Sequence, residues 1–186
     1  MDYKKNVICI EGSWTRDVTK HNSVLHGLDL LEKNRVLKYS HKPSHFKENT
    51  LTLLEKFTQK TYRNYSIIYL SFHGEPGMIG WGKETLSLDE IETRLAGRLT
   101  GKILHFGSCR TVNLNKRRLT KFLVNTGATA ISGFATDVNF IESTLFDFLY
   151  FETCQHQNNM ADVESEMKIK YGQFGRRLGF RIVVHP

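Results

Sequence analysis

The sequence predicts a three-layer α/β/α sandwich around a mostly parallel central sheet, with a small hairpin added to it. Three observations predict this architecture. Apolar runs of strand length recur along the chain, at Asn6 to Ile10, Tyr65 to Phe72, Lys102 to Phe106 and Ala128 to Phe134. Segments with helical spacing lie between them, which is the pattern of parallel strands joined by crossover helices. No internal repeat, low-complexity tract or Pro-rich linker divides the 186 residues, of which 40% are hydrophobic and 12 are Phe, so one domain over residues 1–186 is expected.

Taken in order, Asn6 to Ile10 is a buried first strand ended by Gly12, and Trp14 to Asn22 is a polar loop. Ser23 begins a helix through about Lys33, with Leu25, Leu28 and Leu31 at helical spacing. Arg35 to Ser40 alternates like a second strand, and His45 to Tyr62 carries Phe46, Leu53, Leu54 and Phe57 on a helical stripe. The run YSIIYLSF, from Tyr65 to Phe72, is β-branched and aromatic and stops at His73-Gly74. Gly77 to Leu88 reads as a hairpin turning at Gly82-Lys83, and Ser87 or Asp89 starts a helix through about Leu99. The strand KILHF then runs directly into Gly107-Ser108-Cys109. Helices follow over Leu114 to Asn125, Asn139 to Cys154 and Met160 to Tyr171, with the strand ATAISGF after the first of them and RIVV closing the sequence.

Composition narrows the function classes. No apolar run reaches the roughly 20 residues of a membrane helix, and the apolar stretch near Met1 is too short for a secretory signal. A soluble, cytoplasmic protein without membrane contact is expected. The three cysteines, Cys9, Cys109 and Cys154, are odd in number and lack ligand-like spacing, which speaks against a disulfide framework or a structural metal. The net charge of +7 is spread along the chain apart from Lys116, Arg117, Arg118 and Lys121, and again Arg176 and Arg177. With no nucleic-acid motif or stacking platform beside them, these read as solvated surface, and no specific nucleic-acid partner is expected. A flavodoxin-like phosphate binder is disfavoured, because no strand-to-helix turn carries GxGxxG or a Walker sequence.

The chemistry sits at strand ends. In an open parallel sheet, ligands bind beyond the carboxyl ends of the strands, where His73 and Cys109 both fall. A cysteine attacks a carbonyl as thiolate, and an imidazole within reach takes its proton and then stabilises the anion. Neighbouring parallel strands are about 4.8 Å apart, so residues leaving adjacent strand ends can converge on one crevice. Glycine beside such a pair lets a substrate carbonyl approach main-chain donors, which makes the N–H groups of Gly74 and Cys109 the candidate oxyanion donors.

The segments IIYLSFHG and ILHFGSC, with 36 positions from His73 to Cys109, resemble the motif pair of the caspase-like cysteine peptidases. The stretch TGATAISGFATDV, followed by FIESTLFDFLYF, is similar to the strand and helix after the cysteine strand in the bacterial branch of that clan, including separase-like and CHAT-type domains. The resemblance implies an endopeptidase acting on a peptide or protein through an acyl-enzyme at a Cys/His pair. It requires no cofactor and no metal, and its relatives often need an activating or regulatory protein.

The caspase pattern Gln-Ala-Cys-[Arg/Gln/Gly]-Gly places its His about 50 residues upstream. Here Gly107 stands where the Gln would contact substrate and Thr111 replaces the Gly, so an Asp preference does not carry over. Loops at the same sheet edge supply Glu11, Ser13, Trp14 and Asp137 as substrate-binding candidates. A carboxylate there would favour a basic P1 residue, while Asp137 as a helix cap ahead of Phe140 is the plainer alternative. His105 reads as a satisfied core residue and Cys9 and Cys154 as packing residues. The competing function is a caspase-like regulatory or adapter module without turnover, serving a bacterial defence or signalling assembly.

Overall fold

The computed structural model describes residues 5–15 and 22–186. Its first strand, β1 (Val7–Glu11), is buried along its whole length and lies inside a six-stranded sheet of order β2-β1-β3-β7-β8-β9. Strands buried on both faces read as continuous apolar runs, and this made β1 and β3 (Ile67–Ser71) legible. The other members are β2 (Tyr39–Pro43), β7 (Ile103–Phe106), β8 (Ala130–Phe134) and β9 (Phe180–Val184). Neighbours pair in parallel except β9, which runs antiparallel to β8. A second sheet of three antiparallel strands, β4 (His73–Glu75), β5 (Met78–Trp81) and β6 (Glu84–Ser87), is the expected hairpin enlarged by one strand.

Helices cover both faces. One core joins Ile8, Ile10, Ile68, Leu70, Leu104 and Ile131 of the sheet to Leu54 of α2 (Lys47–Phe57), Ile91 of α3 (Leu88–Arg94) and Phe122 of α4 (Lys116–Thr126). The opposite core joins Val7, Cys9, Tyr69 and Ala130 to Leu28 of α1 (Leu25–Lys33), Tyr150 of α5 (Phe140–His156) and Val163 of α6 (Met160–Arg177). The predicted three-layer α/β/α sandwich is therefore the observed fold. Among the described residues no helix is long and apolar enough to cross a membrane.

Several boundaries differ from the sequence reading. The second strand starts four residues later than expected, because Arg35 takes a left-handed backbone and pairing with β1 begins only when Val7 N–H donates to Lys38 O. Phe46 is exposed in extended backbone ahead of α2, so it is not part of that helix's buried stripe. Ser87 does begin α3 through a reciprocal capping box with Glu90, but the helix ends at Arg94. The last helix passes a non-helical Tyr171, where the sequence reading stopped, and continues to Arg177. Part of the Trp14 to Asn22 loop lies outside the described residues.

Candidate active site

The strands β3 and β7 are immediate parallel neighbours. Beyond β3, Phe72 buries its ring in the core and the chain turns into the small sheet, where His73 opposes Gly80 and is exposed. Beyond β7, Gly107 and Ser108 are buried, and Cys109 emerges half-buried at the same rim. The two segments touch through Gly74. A Cβ on that residue would stand 2.3 Å from Cys109 O and 2.5 Å from Thr111 Oγ1, so only glycine permits this approach.

Thr111 fastens the junction. Its hydroxyl donates to Met78 O at 3.1 Å and lies 2.8 Å from Ser108 Oγ, while its carbonyl accepts from Gly77 N–H at 3.0 Å. The hairpin that carries His73 is thus bonded to the loop that carries Cys109. This role was not read from the sequence, where Thr111 registered only as a departure from a motif. After Cys109 the chain turns through Arg110, a non-glycine residue at φ 56°. Its N–H donates to Thr136 O at 3.1 Å and its guanidinium pairs with Asp137 at 2.8 Å. Left-handed backbone in such a residue costs energy that the surrounding bonds must offset, and it concentrates at functional loops.

Around His73, Nε2 lies 2.9 Å from the main-chain oxygen of Trp14. A carbonyl only accepts, so Nε2 carries the proton in this contact and Nδ1 keeps the lone pair of a base. The Trp14 ring packs edge-on against His73 at 5.3 Å and against Phe140 at 5.0 Å. The Cys109 sulfur accepts the Val138 N–H at 3.4 Å and approaches Val138 O at 3.7 Å. No hydrogen bond joins the sulfur to the His73 ring. The Cys109 N–H donates to no protein acceptor among the described residues.

The remaining site candidates fall as follows. Ser13 donates its hydroxyl to Thr15 O at 2.9 Å. Glu11 is buried, and its carboxylate is occupied by internal donors. Burial works to raise its pKa, but hydrogen bonds from His41, Ser23, Val24 and Trp14 bring the net value below the ordinary one. Asp137 pairs with Arg110 and is largely exposed. It is not the helix cap, since Asn139 accepts the N–H groups of Ile141 and Glu142. A cleft of about 310 Å³ beside His73 is walled by Trp14, Trp81, His45 and Ser13.

Beneath the Cys109 loop lies an arrangement that sequence reading met only as His105 in the core. His105 Nε2 is 2.7 Å from Asp147 Oδ1 and its Nδ1 is 2.9 Å from Ser132 Oγ. Tyr69 donates its hydroxyl to Asp147 Oδ2 at 2.7 Å, and the Ser132 and Tyr150 hydroxyls are 3.1 Å apart. The order Asp-His-Ser imitates a hydrolytic relay, yet His105 and Ser132 are 0% exposed and Asp147 1%, so no substrate reaches it. Its footprint explains Gly107, where a Cβ would come within 2.4 Å of the Tyr69 ring and 2.9 Å of Asp147.

Cys9 and Cys154 are buried free thiols. Burial raises both pKa values, that of Cys154 to about 12, so neither is poised as a nucleophile. No group of His, Cys, Asp or Glu among the described residues is arranged to hold a metal ion.

Residues 4–184 match DUF6642, a family of unknown function. No curated protein matches the chain in sequence. Among solved structures, the chain is similar to a crystal structure of caspase-1 from Spodoptera frugiperda. The TM-score is 0.60 at 11% identity, over 98% of this chain and 87% of that one. At that identity the likeness establishes a caspase-like fold and leaves activity to be argued from the site.

Proposed function

The chain belongs to the DUF6642 family, and on that premise and its caspase-like fold we propose that it is a cysteine endopeptidase with Cys109 as nucleophile and His73 as base. The observation that carries this reading is the approach of Gly74 to the Cys109 carbonyl, which joins the His73 and Cys109 segments at one rim of the sheet. His73 Nδ1 takes the thiol proton and the sulfur attacks the carbonyl carbon of a peptide or protein substrate. The oxyanion that forms is held by the N–H groups of Gly74 and Cys109. His73 then returns the proton to the departing amine, leaving a thioester, and deprotonates the water that hydrolyses it.

The caspase-like fold, with the His-Gly and Gly-Ser-Cys strand ends, supports this reaction class. Glu11 and Asp137 both have partners inside the protein, so neither carboxylate is left unpaired to select a basic P1 residue. The test is cleavage of a peptide library by purified protein and by Cys109→Ala and His73→Ala. Loss of cleavage in both supports the mechanism, and sustained cleavage by Cys109→Ala overturns it.

One observation favours a second reading, a regulatory module without turnover: the Cys109 sulfur is bonded to the main chain of Val138 and not to His73. Alkylation separates the two. A Cys109 thiol that reacts with iodoacetamide no faster than free cysteine, with no cleavage by the wild type, identifies the module.

A further inference from the structure

We propose that Glu11 is a positioning residue for the His73 imidazole, acting through Trp14; this rests on the peptidase reading above and gives one of its loops a function. Glu11 ends β1 and is only 5% exposed. Its Oε1 accepts the Trp14 indole N–H at 2.8 Å and the Val24 N–H at 2.9 Å. Its Oε2 accepts the Ser23 hydroxyl at 2.7 Å and lies 2.7 Å from His41 Nε2. A carboxylate offers about four acceptor positions, and all four are used.

The donors come from separate parts of the chain. His41 belongs to β2, Val24 and Ser23 lead into α1, and Trp14 sits in the loop after β1. Main-chain bonds pin the same point, from Ser44 N–H to Glu11 O at 2.8 Å and from Gly12 N–H to Ser71 O at 2.9 Å. A buried anion without donors would be costly, so once four are assembled the carboxylate fixes all of them at once. The indole N–H is one of the four, and the main-chain oxygen of that same Trp14 takes His73 Nε2 at 2.9 Å.

The consequence is chemical. With Trp14 held at both ends, its carbonyl selects the imidazole tautomer with the proton on Nε2 and leaves Nδ1 as the base. The edge-on Trp14 ring, in turn set against Phe140, limits rotation of the imidazole. Glu11 therefore works as an internal clamp, which replaces the substrate contact expected of a carboxylate at this sheet edge.

The experiment compares Glu11→Ala, Glu11→Gln and Trp14→Phe with the wild type by long-range ¹H–¹⁵N spectra of the imidazoles, His73 being assigned from its missing signal in His73→Gln. The wild type should show His73 as the single Nε2–H tautomer. Glu11→Ala and Trp14→Phe should show both tautomers in exchange. Glu11→Gln should keep the wild-type spectrum, because its amide oxygen still accepts from Trp14 and Val24. In peptide cleavage, the first two variants should lose kcat by about 10- to 100-fold with KM little changed, and Glu11→Gln should stay close to wild type.

An unchanged His73 tautomer in Trp14→Phe, which removes the indole N–H while keeping an aromatic ring and serves if Glu11→Ala fails to fold, overturns the proposal. A wild type that cleaves nothing yet shows tautomer exchange only in Glu11→Ala and Trp14→Phe upholds the clamp and rejects the peptidase reading.

Discussion

Two histidines, His73 in the small sheet and His105 in the central one, meet opposite fates, and the contrast separates chemistry from architecture. His105 is sealed under the Cys109 loop with both ring nitrogens engaged, by Asp147 and by Ser132. His73 stands exposed at the rim with one nitrogen on a main-chain carbonyl. By residue type the inner group looks the more catalytic, since it has the carboxylate and the hydroxyl. Access reverses that ranking: a polar network without an opening rigidifies a core, whereas an exposed histidine with one ring nitrogen on a main-chain carbonyl is open to solvent and solutes.

The largest expected effect comes from breaking the outer member. Cys109→Ala should lower cleavage by about 10³-fold or more while the thermal midpoint stays near that of the wild type, as read by peptide hydrolysis beside calorimetry. The inner member should behave in the opposite way. Asp147→Ala leaves His105 and the Tyr69 hydroxyl buried without their acceptor, and urea unfolding should show a loss of about 3–5 kcal/mol. An Asp147→Ala protein of unchanged stability would contradict the structural assignment.

The seam between the two regions gives a smaller and mixed effect. In Gly74→Ala the added methyl meets the Cys109 main chain, which cannot retract like a flexible side chain. Stability should fall by about 1–3 kcal/mol, and cleavage should fall further than that alone explains.

The smallest effect is a pH slope. Because the folded pKa of Glu11 lies below its ordinary value, its contribution to stability is complete above that ordinary value and is lost as pH falls toward the folded one. Urea midpoints taken from about pH 5 to about pH 3 should therefore decline more steeply for the wild type than for Glu11→Gln.

The two regions also differ in how much of them was legible in sequence. The strand ends that carry His73 and Cys109 were legible because each closes an apolar run beside a glycine, and a strand end is a local property. The Glu11 cluster was not, because it gathers Trp14, Ser23, Val24 and His41 from three separate stretches of chain that meet only after folding. The inner relay left a faint signal: Asp147 is a lone carboxylate within the aromatic run FDFLYF, where burial obliges it to find donors. Thr111 left none, since its value lies in reaching Met78 across the turn. The late start of β2 was hidden for a similar reason, the left-handed Arg35 being a choice that alternation of side chains does not encode.

The reversed direction of β9 has a practical corollary. Val184 lies opposite Ala130, where β8 begins, so the chain leaves the sheet at the end remote from Cys109. A surface linkage placed on an exposed side chain near that end of β9 would leave the Cys109 rim facing bulk solution.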